Sequence, residues 1–305
     1  MPRKRTIRLL RAPNLARRRW LAHGFSTRAP ESGAPGEFNL NYSVAKVPAA
    51  VVRNRRALLG ALGAAGRWQL VTLRQRHTDI IRVLTEEGSD GLGRPSREPD
   101  GAANFAGDAL ITDRPGLLLA VQVADCLPIL LVDAERRVVA AVHAGWRGTL
   151  AGIVAKTVGR MRQEFGCEPR GMLAAFGPGI HRCCYEVGSE VVEGFEAKFA
   201  YWERIVHRIA PSPSQVHWQQ PRLDPPHRPG EEARPRPAVT SPYEEKFFLD
   251  LVEANRRQLV EAGVKAKSIW ASPDCTACRT DLFFSHRAEN GKTGRMMGIV
   301  GIVPR

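Results

Sequence analysis

Several features that mark specialised classes of protein are missing from this sequence. The longest apolar run, Leu117–Val123, is interrupted by Gln122 and falls far short of the roughly 18 residues that suggest a membrane span. Six cysteines in a chain of 305 residues do not form a disulfide framework, so we expect a reducing compartment. The residue composition also suggests a GC-rich bacterial gene. The expected location is therefore a bacterial cytoplasm, with no membrane partner.

Acidic residues are absent before Glu31, whereas eight of the first 19 residues are basic. The whole chain has a formal net charge of +14, and about +6 remains without those eight. We interpret residues 1–20 as a solvated, disordered arm, with a nucleic-acid-binding arm and an Arg-rich transit peptide as alternatives. No aromatic stacking pattern accompanies the charges, so nucleic acid is not an expected partner.

Residues 21–305 are predicted to form a single globular domain. Apolar runs and alternation predict strands at 68–73, 80–84, 109–112, 117–123, 129–132, 138–142, 172–176 and 268–271, and an apolar tail covers 297–303. Apolar residues at helical spacing predict helices at 150–165, 189–206 and 250–263. Turn-rich stretches cover 29–37 and 87–107. Nine of the 32 residues from Pro211 to Pro242 are proline, which predicts an exposed insertion at about 211–242.

Three potential metal ligands, His77, Cys126 and His143, each come just after a predicted strand, where a rigid scaffold delivers side chains into a cleft. Two imidazoles and one thiolate suit zinc, and three protein ligands leave a fourth position for water, as in catalytic zinc sites. Such a zinc lowers the pKa of its water to about 7. Spacing alone leaves a second interpretation open, a buried structural cysteine with two hydrogen-bonded histidines, because no short metal motif is present.

The segment from His143 to Thr149 reads His-Ala-Gly-Trp-Arg-Gly-Thr. Its glycines, Gly145 and Gly148, allow the backbone to approach a ligand closely. Arg147 places a cation beside the start of a predicted helix, which is an arrangement that can bind an anion. A simple strand-to-helix turn with Arg147 in a structural salt bridge remains the alternative.

The remaining cysteines include a C-x-x-C pair, Cys275 and Cys278, which alone is half of a zinc site. Cys183 and Cys184 could supply the other half, but adjacent cysteines seldom chelate one metal well. We therefore interpret these four residues as buried thiols.

An ordered set of motifs runs through nearly the whole chain from about residue 20 to 303. The motifs are His23-Gly-Phe-Ser-Thr-Arg28, Phe38-Asn-Leu40, Gln75-Arg-His77, Gly107-Asp-Ala109, Ala124-Asp-Cys-Leu-Pro128, His143 to Thr149, Gly177-Pro-Gly-Ile180, Cys184-Tyr-Glu-Val187, Leu249-Asp-Leu251, Asp274-Cys-Thr276, Phe283-Phe-Ser285 and Thr293-Gly-Arg295. This set resembles the laccase-domain family, also called the YfiH type. Its members were first described as multicopper polyphenol oxidases, later as purine nucleoside enzymes, and in some cases as peptidoglycan editing factors.

The resemblance implies an α+β fold, a four-layer α/β/β/α sandwich of mixed sheets that the cytotoxic necrotizing factor deamidases share. It implies that His77, Cys126 and His143 bind zinc, with copper as an alternative occupant, and that these residues are catalytic. It also implies nucleoside and phosphate as ligands. A monomer or a homodimer is expected.

The implied activity is phosphorolysis of adenosine, inosine or methylthioadenosine, together with deamination of adenosine. A carboxylate must move a proton, and Asp125, beside Cys126, is the candidate. Arg28 and Arg147 are the candidate phosphate-binding residues, and Asn39 is a candidate substrate-binding residue.

Other functions stay open. A four-copper oxidase is not expected, because its centres are rich in imidazole and this chain has eight histidines and no His-x-His pair. The alternatives are a metal-free cysteine hydrolase with Cys126 as nucleophile and His143 as base, a peptidoglycan editing amidase that removes a misplaced L-serine, and a nucleic-acid binder that uses the basic arm.

Overall fold

A computed structural model describes residues 7–28, 38–63, 68–85, 88–89, 95–209 and 245–304. Within these ranges the chain forms five α-helices and three β-sheets. The predicted insertion at 211–242 and the turn-rich stretch at 29–37 lie outside the described residues. Among the residues that are described, no helix combines the length and apolar character needed to cross a membrane.

The first sheet contains seven strands in the order β1-β2-β17-β9-β3-β7-β6. Their bounds are β1 Leu9–Leu10, β2 Leu21–Ser26, β17 Met296–Ile302, β9 Leu117–Val123, β3 Gln69–Arg74, β7 Ala103–Ala106 and β6 Ser96–Arg97. Strand β3 runs parallel to both of its neighbours, whereas the other pairs are antiparallel, so the sheet is mixed.

The second sheet also contains seven strands, in the order β16-β12-β10-β11-β8-β4-β5. Their bounds are β16 Ile269–Ala271, β12 Leu173–Phe176, β10 Leu127–Asp133, β11 Val138–Ala144, β8 Ala109–Thr112, β4 Ile81–Thr85 and β5 Gly88–Ser89. A small third sheet follows the order β13-β15-β14, with bounds Glu186–Val187, Lys246–Leu249 and Val206–Ile209. All eight strands predicted from the sequence are present, within two residues at each end, and the apolar tail at 297–303 corresponds to strand β17.

The five helices are α1 Pro48–Ala61, α2 Trp146–Ala151, α3 Ile153–Phe165, α4 Ser189–Lys198 and α5 Leu251–Glu261. The helix predicted at 150–165 starts earlier than expected and is split at Gly152, whose φ of 81° ends α2. The helix predicted at 189–206 stops at Lys198, because Phe199 is extended and the chain then enters β14. The side chain of Asp250 caps α5 by accepting the N–H of Glu253.

Alternation along β9 shows how the layers stack. Leu119 and Val121 face the second sheet and join the core between the two sheets, whereas Leu118 and Ala120 face α1. On the far side, α3 and α5 cover the second sheet with residues such as Val158. The order of layers is therefore helix, sheet, sheet, helix, which confirms the α/β/β/α sandwich that the resemblance implied.

The interpretation of residues 1–20 as a disordered arm is wrong for residues 7–20. Strand β1 pairs with β2, and Ala12 and Leu15 are fully buried in the core between the sheets. The side chain of Asn14 donates to the carbonyl oxygens of Ala174 and Ser268 at 2.9 and 3.0 Å. The buried residues of this segment are too few and too widely spaced to give the periodic pattern that predicts a strand or a helix. The many basic residues therefore dominated the prediction.

Candidate metal centre and cleft

The fold brings the three predicted ligands together where the chain crosses between the two sheets. Leu127 pairs with Ala144 across β10 and β11, so Cys126, one residue earlier, lies beside Gly145. His77 follows β3 of the first sheet, in the crossing segment that leads to β4 of the second.

The side-chain ligand atoms of His77, Cys126 and His143 all lie within 4.8 Å of one another. The sulfur of Cys126 is 3.8 Å from Nε2 of His77. The two imidazole rings meet edge to face, with centroids 4.9 Å apart and an angle of 70° between their planes. Two imidazoles and one thiolate converging in this way fit a zinc ion that keeps one position open.

Asp108, to which the sequence analysis assigned no role, orients the ring of His143 and fixes the backbone at His77. Its fully buried carboxylate lies 2.9 Å from Nδ1 of His143, which leaves Nε2 of that ring directed at the metal centre. It also accepts the N–H of His77 at 3.0 Å and the hydroxyl of Thr78 at 2.6 Å. Burial alone would raise the pKa of Asp108, but the hydrogen bonds from His143 and Thr78 hold it well below its ordinary value.

The backbone around the ligands is constrained. His77 and Asp125 both have positive φ, 60° and 86°, which is uncommon for residues other than glycine. A Cβ atom on Gly145 would lie 2.8 Å from the sulfur of Cys126 and 3.1 Å from a ring carbon of His77. The close approach predicted for the backbone of Gly145 is therefore to the side chains of Cys126 and His77.

Without a metal, Cys126 and His143 form a strongly coupled pair. Burial raises the pKa of the thiol, but the neighbouring His143, followed by His77, lowers it to about 6. Burial likewise lowers the pKa of His143, but Cys126 and Asp108 raise it to about 9. The two histidines therefore favour the thiolate form of Cys126, which is the form that binds a metal.

The metal centre opens into a cleft of about 870 Å³. That volume lies within the range of about 300–1,000 Å³ usual for small-molecule sites. Two carboxylates, Glu98 and Asp125, line it. The cleft is also lined by five arginines, Arg74, Arg76, Arg147, Arg287 and Arg295. Positive charge dominates its wall, which suits an anionic ligand.

The other predicted site residues divide into two groups. Asp125 and Arg147 line the cleft. Asp125 is buried, whereas Arg147 is exposed and its guanidinium lies 4.2 Å from the centre of the Trp146 ring. Arg28 and Asn39 line a different cavity.

The contacts of Arg28 and Asn39 argue against the predicted binding roles. The guanidinium of Arg28 is committed to Glu289 at 3.0 Å and to the carbonyl of Thr280 at 2.6 Å. The side chain of Asn39 accepts the N–H of Arg295 at 2.9 Å and donates to the Asn41 carbonyl, so it supports residues that line the cleft.

Arg295 and Tyr185 line the cleft without having been assigned a role. Both belong to motifs of the resemblance, Thr293-Gly-Arg295 and Cys184-Tyr-Glu-Val187, and those motifs were the signal that could have found them. Arg295 is half-buried and lies near the charges of Cys126 and Asp125.

The interpretation of the other cysteines as buried thiols is wrong for Cys183 and Cys278, which are both exposed. Cys184 is partly exposed and Cys275 is buried. The turn that follows Ile180 brings the adjacent cysteines to the surface, which the hydrophobic character of cysteine does not predict.

Comparisons with known proteins find relatives that are similar over most of the chain. The chain is 33% identical over 285 residues to purine nucleoside phosphorylase YlmD of Geobacillus stearothermophilus, covering 92% of this chain and 87% of the relative. The crystal structure of that YlmD superposes with a TM-score of 0.71, covering 96% of this chain and 94% of that one. Adenosine deaminase RL5, from an unknown prokaryotic organism, is 34% identical over 226 residues, covering 74% of this chain and 72% of the relative.

The structure of the hypothetical protein YfiH of Bacillus licheniformis is similar as well, with a TM-score of 0.72, 30% identity and 92% of each chain covered. A family model described as multi-copper polyphenol oxidoreductase laccase matches residues 22–224 and 226–303. The match spans almost all of the sandwich and every residue of the metal centre. The chain therefore belongs to this laccase-like YfiH family.

Proposed function

We propose that this chain is a zinc-dependent purine nucleoside enzyme that cleaves adenosine, inosine and methylthioadenosine with phosphate and also deaminates adenosine. The observation that carries the proposal is the three-ligand metal centre at the base of an arginine-rich cleft. Relatives named purine nucleoside phosphorylase and adenosine deaminase, similar over most of the chain, support the substrate class.

The donor set fits zinc, with copper as the alternative occupant. His77, Cys126 and His143 would hold the ion, and Asp108 fixes the ring orientation of His143. A bound zinc supplies Lewis acidity and lowers the pKa of a coordinated water to about 7. Among the described residues, the other cluster able to hold a metal consists of four cysteines. Imidazole ligands for a four-copper centre are therefore not assembled in the described part of the chain.

In phosphorolysis the protein has to bind phosphate beside the ribose. A phosphate oxygen attacks the anomeric carbon as the bond to the base breaks, so the incoming anion needs cations near it. Arg147 and Arg295 are our candidates, because Arg147 lines the cleft over Trp146 and Arg295 lies near Cys126. The aromatic faces of Trp146 and Tyr185 in the cleft wall offer packing surfaces for a purine.

Deamination requires the protein to move a proton, and so does the departure of the base in phosphorolysis. Asp125 is the carboxylate of the cleft that adjoins a metal ligand. Its two oxygens accept the hydroxyl of Thr276 at 2.7 Å and the N–H of Arg287 at 2.6 Å, which fixes the carboxylate in place. Each carboxylate oxygen keeps a further lone pair for a proton of the reacting group.

One observation favours a second candidate, a metal-free cysteine hydrolase. Cys126, His143 and Asp108 are arranged as nucleophile, base and orienting acid, and the pKa of Cys126 is lowered to about 6. This hydrolase would keep its activity after chelation, whereas the zinc enzyme would lose it.

The experiment is turnover of adenosine, inosine and methylthioadenosine by protein of known zinc content, with and without phosphate, beside Arg147→Ala. The proposal is supported if the purified protein releases base in a phosphate-dependent reaction and keeps this activity through gel filtration. Chelation should abolish the activity, and added zinc should restore it. We expect Arg147→Ala to raise the KM for phosphate, and unchanged KM and kcat would remove Arg147 from that role. No turnover of any nucleoside at full zinc occupancy would contradict the proposal and favour the peptidoglycan editing amidase.

A further inference from the structure

Four cysteine side chains converge on the protein surface, apart from the His77, Cys126 and His143 centre. The sulfurs of Cys183, Cys184, Cys275 and Cys278, which we call the cysteine tetrad, all lie within 4.8 Å of one another. All four are free thiols. We propose that the cysteine tetrad binds one zinc ion as a second, structural metal site.

The spacing of the sulfurs suits a tetrahedral zinc. With Zn–S bonds of about 2.3 Å, the sulfurs of a tetrahedral site lie about 3.8 Å apart. The sulfur of Cys278 is 3.3 Å from that of Cys184 and 3.6 Å from that of Cys183. Small outward shifts of these side chains would reach the tetrahedral spacing without moving the backbone.

The local backbone explains how two adjacent cysteines can serve one metal. The N–H groups of Cys184 and Tyr185 both donate to the carbonyl oxygen of His181 at 3.0 Å. The chain therefore turns tightly over residues 181–185. In this turn both Cys183 and Cys184 approach the sulfur of Cys278.

A backbone donor also contacts the buried member of the tetrad. The N–H of His181 donates to the sulfur of Cys275 at 3.4 Å. Such donors stabilise the thiolate form that zinc binds, and second-sphere hydrogen bonds of this kind orient metal ligands.

The position of the tetrad indicates what its zinc would do. Tyr185, which follows Cys184, lines the cleft. Thr276, which follows Cys275, donates its hydroxyl to Asp125, the residue before Cys126. A zinc ion in the tetrad would fasten two loops that form the cleft wall, in a protein whose compartment is expected to keep exposed thiols reduced.

The test is zinc content per chain, measured on full-length protein purified without reductant or chelator and then incubated with zinc and desalted. We expect two zinc ions per wild-type chain and one in Cys126→Ala, which keeps the tetrad intact. We also expect one in the double variant Cys183→Ser/Cys278→Ser. Cys167→Ala is the matched control, because Cys167 is a buried cysteine outside both clusters, and it should keep two.

Cobalt identifies the ligands of the remaining ion. Cobalt-loaded Cys126→Ala should show the strong sulfur-to-metal charge-transfer absorption of a thiolate-rich tetrahedral site. Absence of both zinc and this absorption in Cys126→Ala would overturn the proposal. So would four free thiols instead of six in denatured, chelator-treated wild type, because a disulfide would then occupy the tetrad. Since the count uses Cys126→Ala, it does not depend on the nucleoside activity.

Discussion

Gly145→Ala should weaken the metal centre without directly altering any ligand. The backbone of Gly145, with φ of −81° and ψ of 178°, is allowed for alanine, so the effect would come from the added methyl group alone. That methyl would stand 2.8 Å from the Cys126 sulfur, and an ordinary contact begins at 3.4 Å, so the sulfur must retreat by about 0.6 Å. Metal–ligand distances tolerate only about 0.2 Å. We expect zinc affinity to fall on the order of 10- to 100-fold, as when a supporting residue of a metal site is lost.

The assay is transfer of zinc to a chromogenic chelator, with Cys126→Ala as the reference that lacks this centre. The difference from that reference reports this centre alone. Gly159→Ala is the matched control, because a Cβ at Gly159 on the exposed face of α3 meets nothing within 4 Å. It should keep the wild-type affinity. Wild-type affinity in Gly145→Ala as well would refute the packing that we derive for the centre.

Three further predictions concern the carboxylate that orients His143, the thiol of Cys126 and the N-terminal segment. Asp108→Asn should weaken zinc binding by about 10- to 100-fold in the same assay, since His143 loses its orienting carboxylate, and an unchanged affinity would contradict that role. In chelator-treated protein, the rate at which iodoacetamide labels Cys126 should rise through about pH 6, because the thiolate is the reactive form and the pKa of Cys126 is lowered to about 6. Cys167 is the control. Burial raises the pKa of Cys167 to about 12, so it should stay unlabelled at pH 7. Peptide mass spectrometry reads both sites, and a Cys126 midpoint near 9 would count against the coupled pair. Deletion of residues 1–19 should lower the free energy of unfolding by several kcal/mol, since it removes buried Leu15 and the hydrogen bonds of Asn14. Deletion of residues 1–6 is the control, because it removes none of the described contacts and should leave the free energy of unfolding unchanged. Equal denaturant midpoints for the two truncations would show that the segment does not anchor the fold.

The sequence predicted the central strands well because they are buried on both faces, and a continuous apolar run such as that of β9 is a strong local signal. Elements that depend on distant partners were missed. Strands β1 and β14 are short, and their own residues show no pattern that predicts pairing with β2 and β15. Helix α1 has only a narrow apolar stripe, with Val51 and Leu58 buried, and its first turn begins with a proline.

The candidate metal site of His77, Cys126 and His143 could be predicted because each residue follows a recognisable strand within a motif of the family. The residues that organise them could not. Asp108 acts through contacts with His77, Thr78 and His143, which are about 30 residues or more away in sequence. Arg28 illustrates the reverse case, since a conspicuous arginine in a motif gives no sign that Glu289 already pairs with it.

If zinc held by His77, Cys126 and His143 drives nucleoside turnover, the rate should follow zinc occupancy of this centre. The decisive experiment is phosphate-dependent release of hypoxanthine from inosine, followed while chelator-treated protein is titrated with zinc. We expect a rate that rises in proportion to zinc bound at this centre, taken as the difference from Cys126→Ala, and reaches a plateau when the centre is full. A rate already maximal in the metal-free protein, or one that Cys126→Ala retains, would show that this metal does not drive turnover.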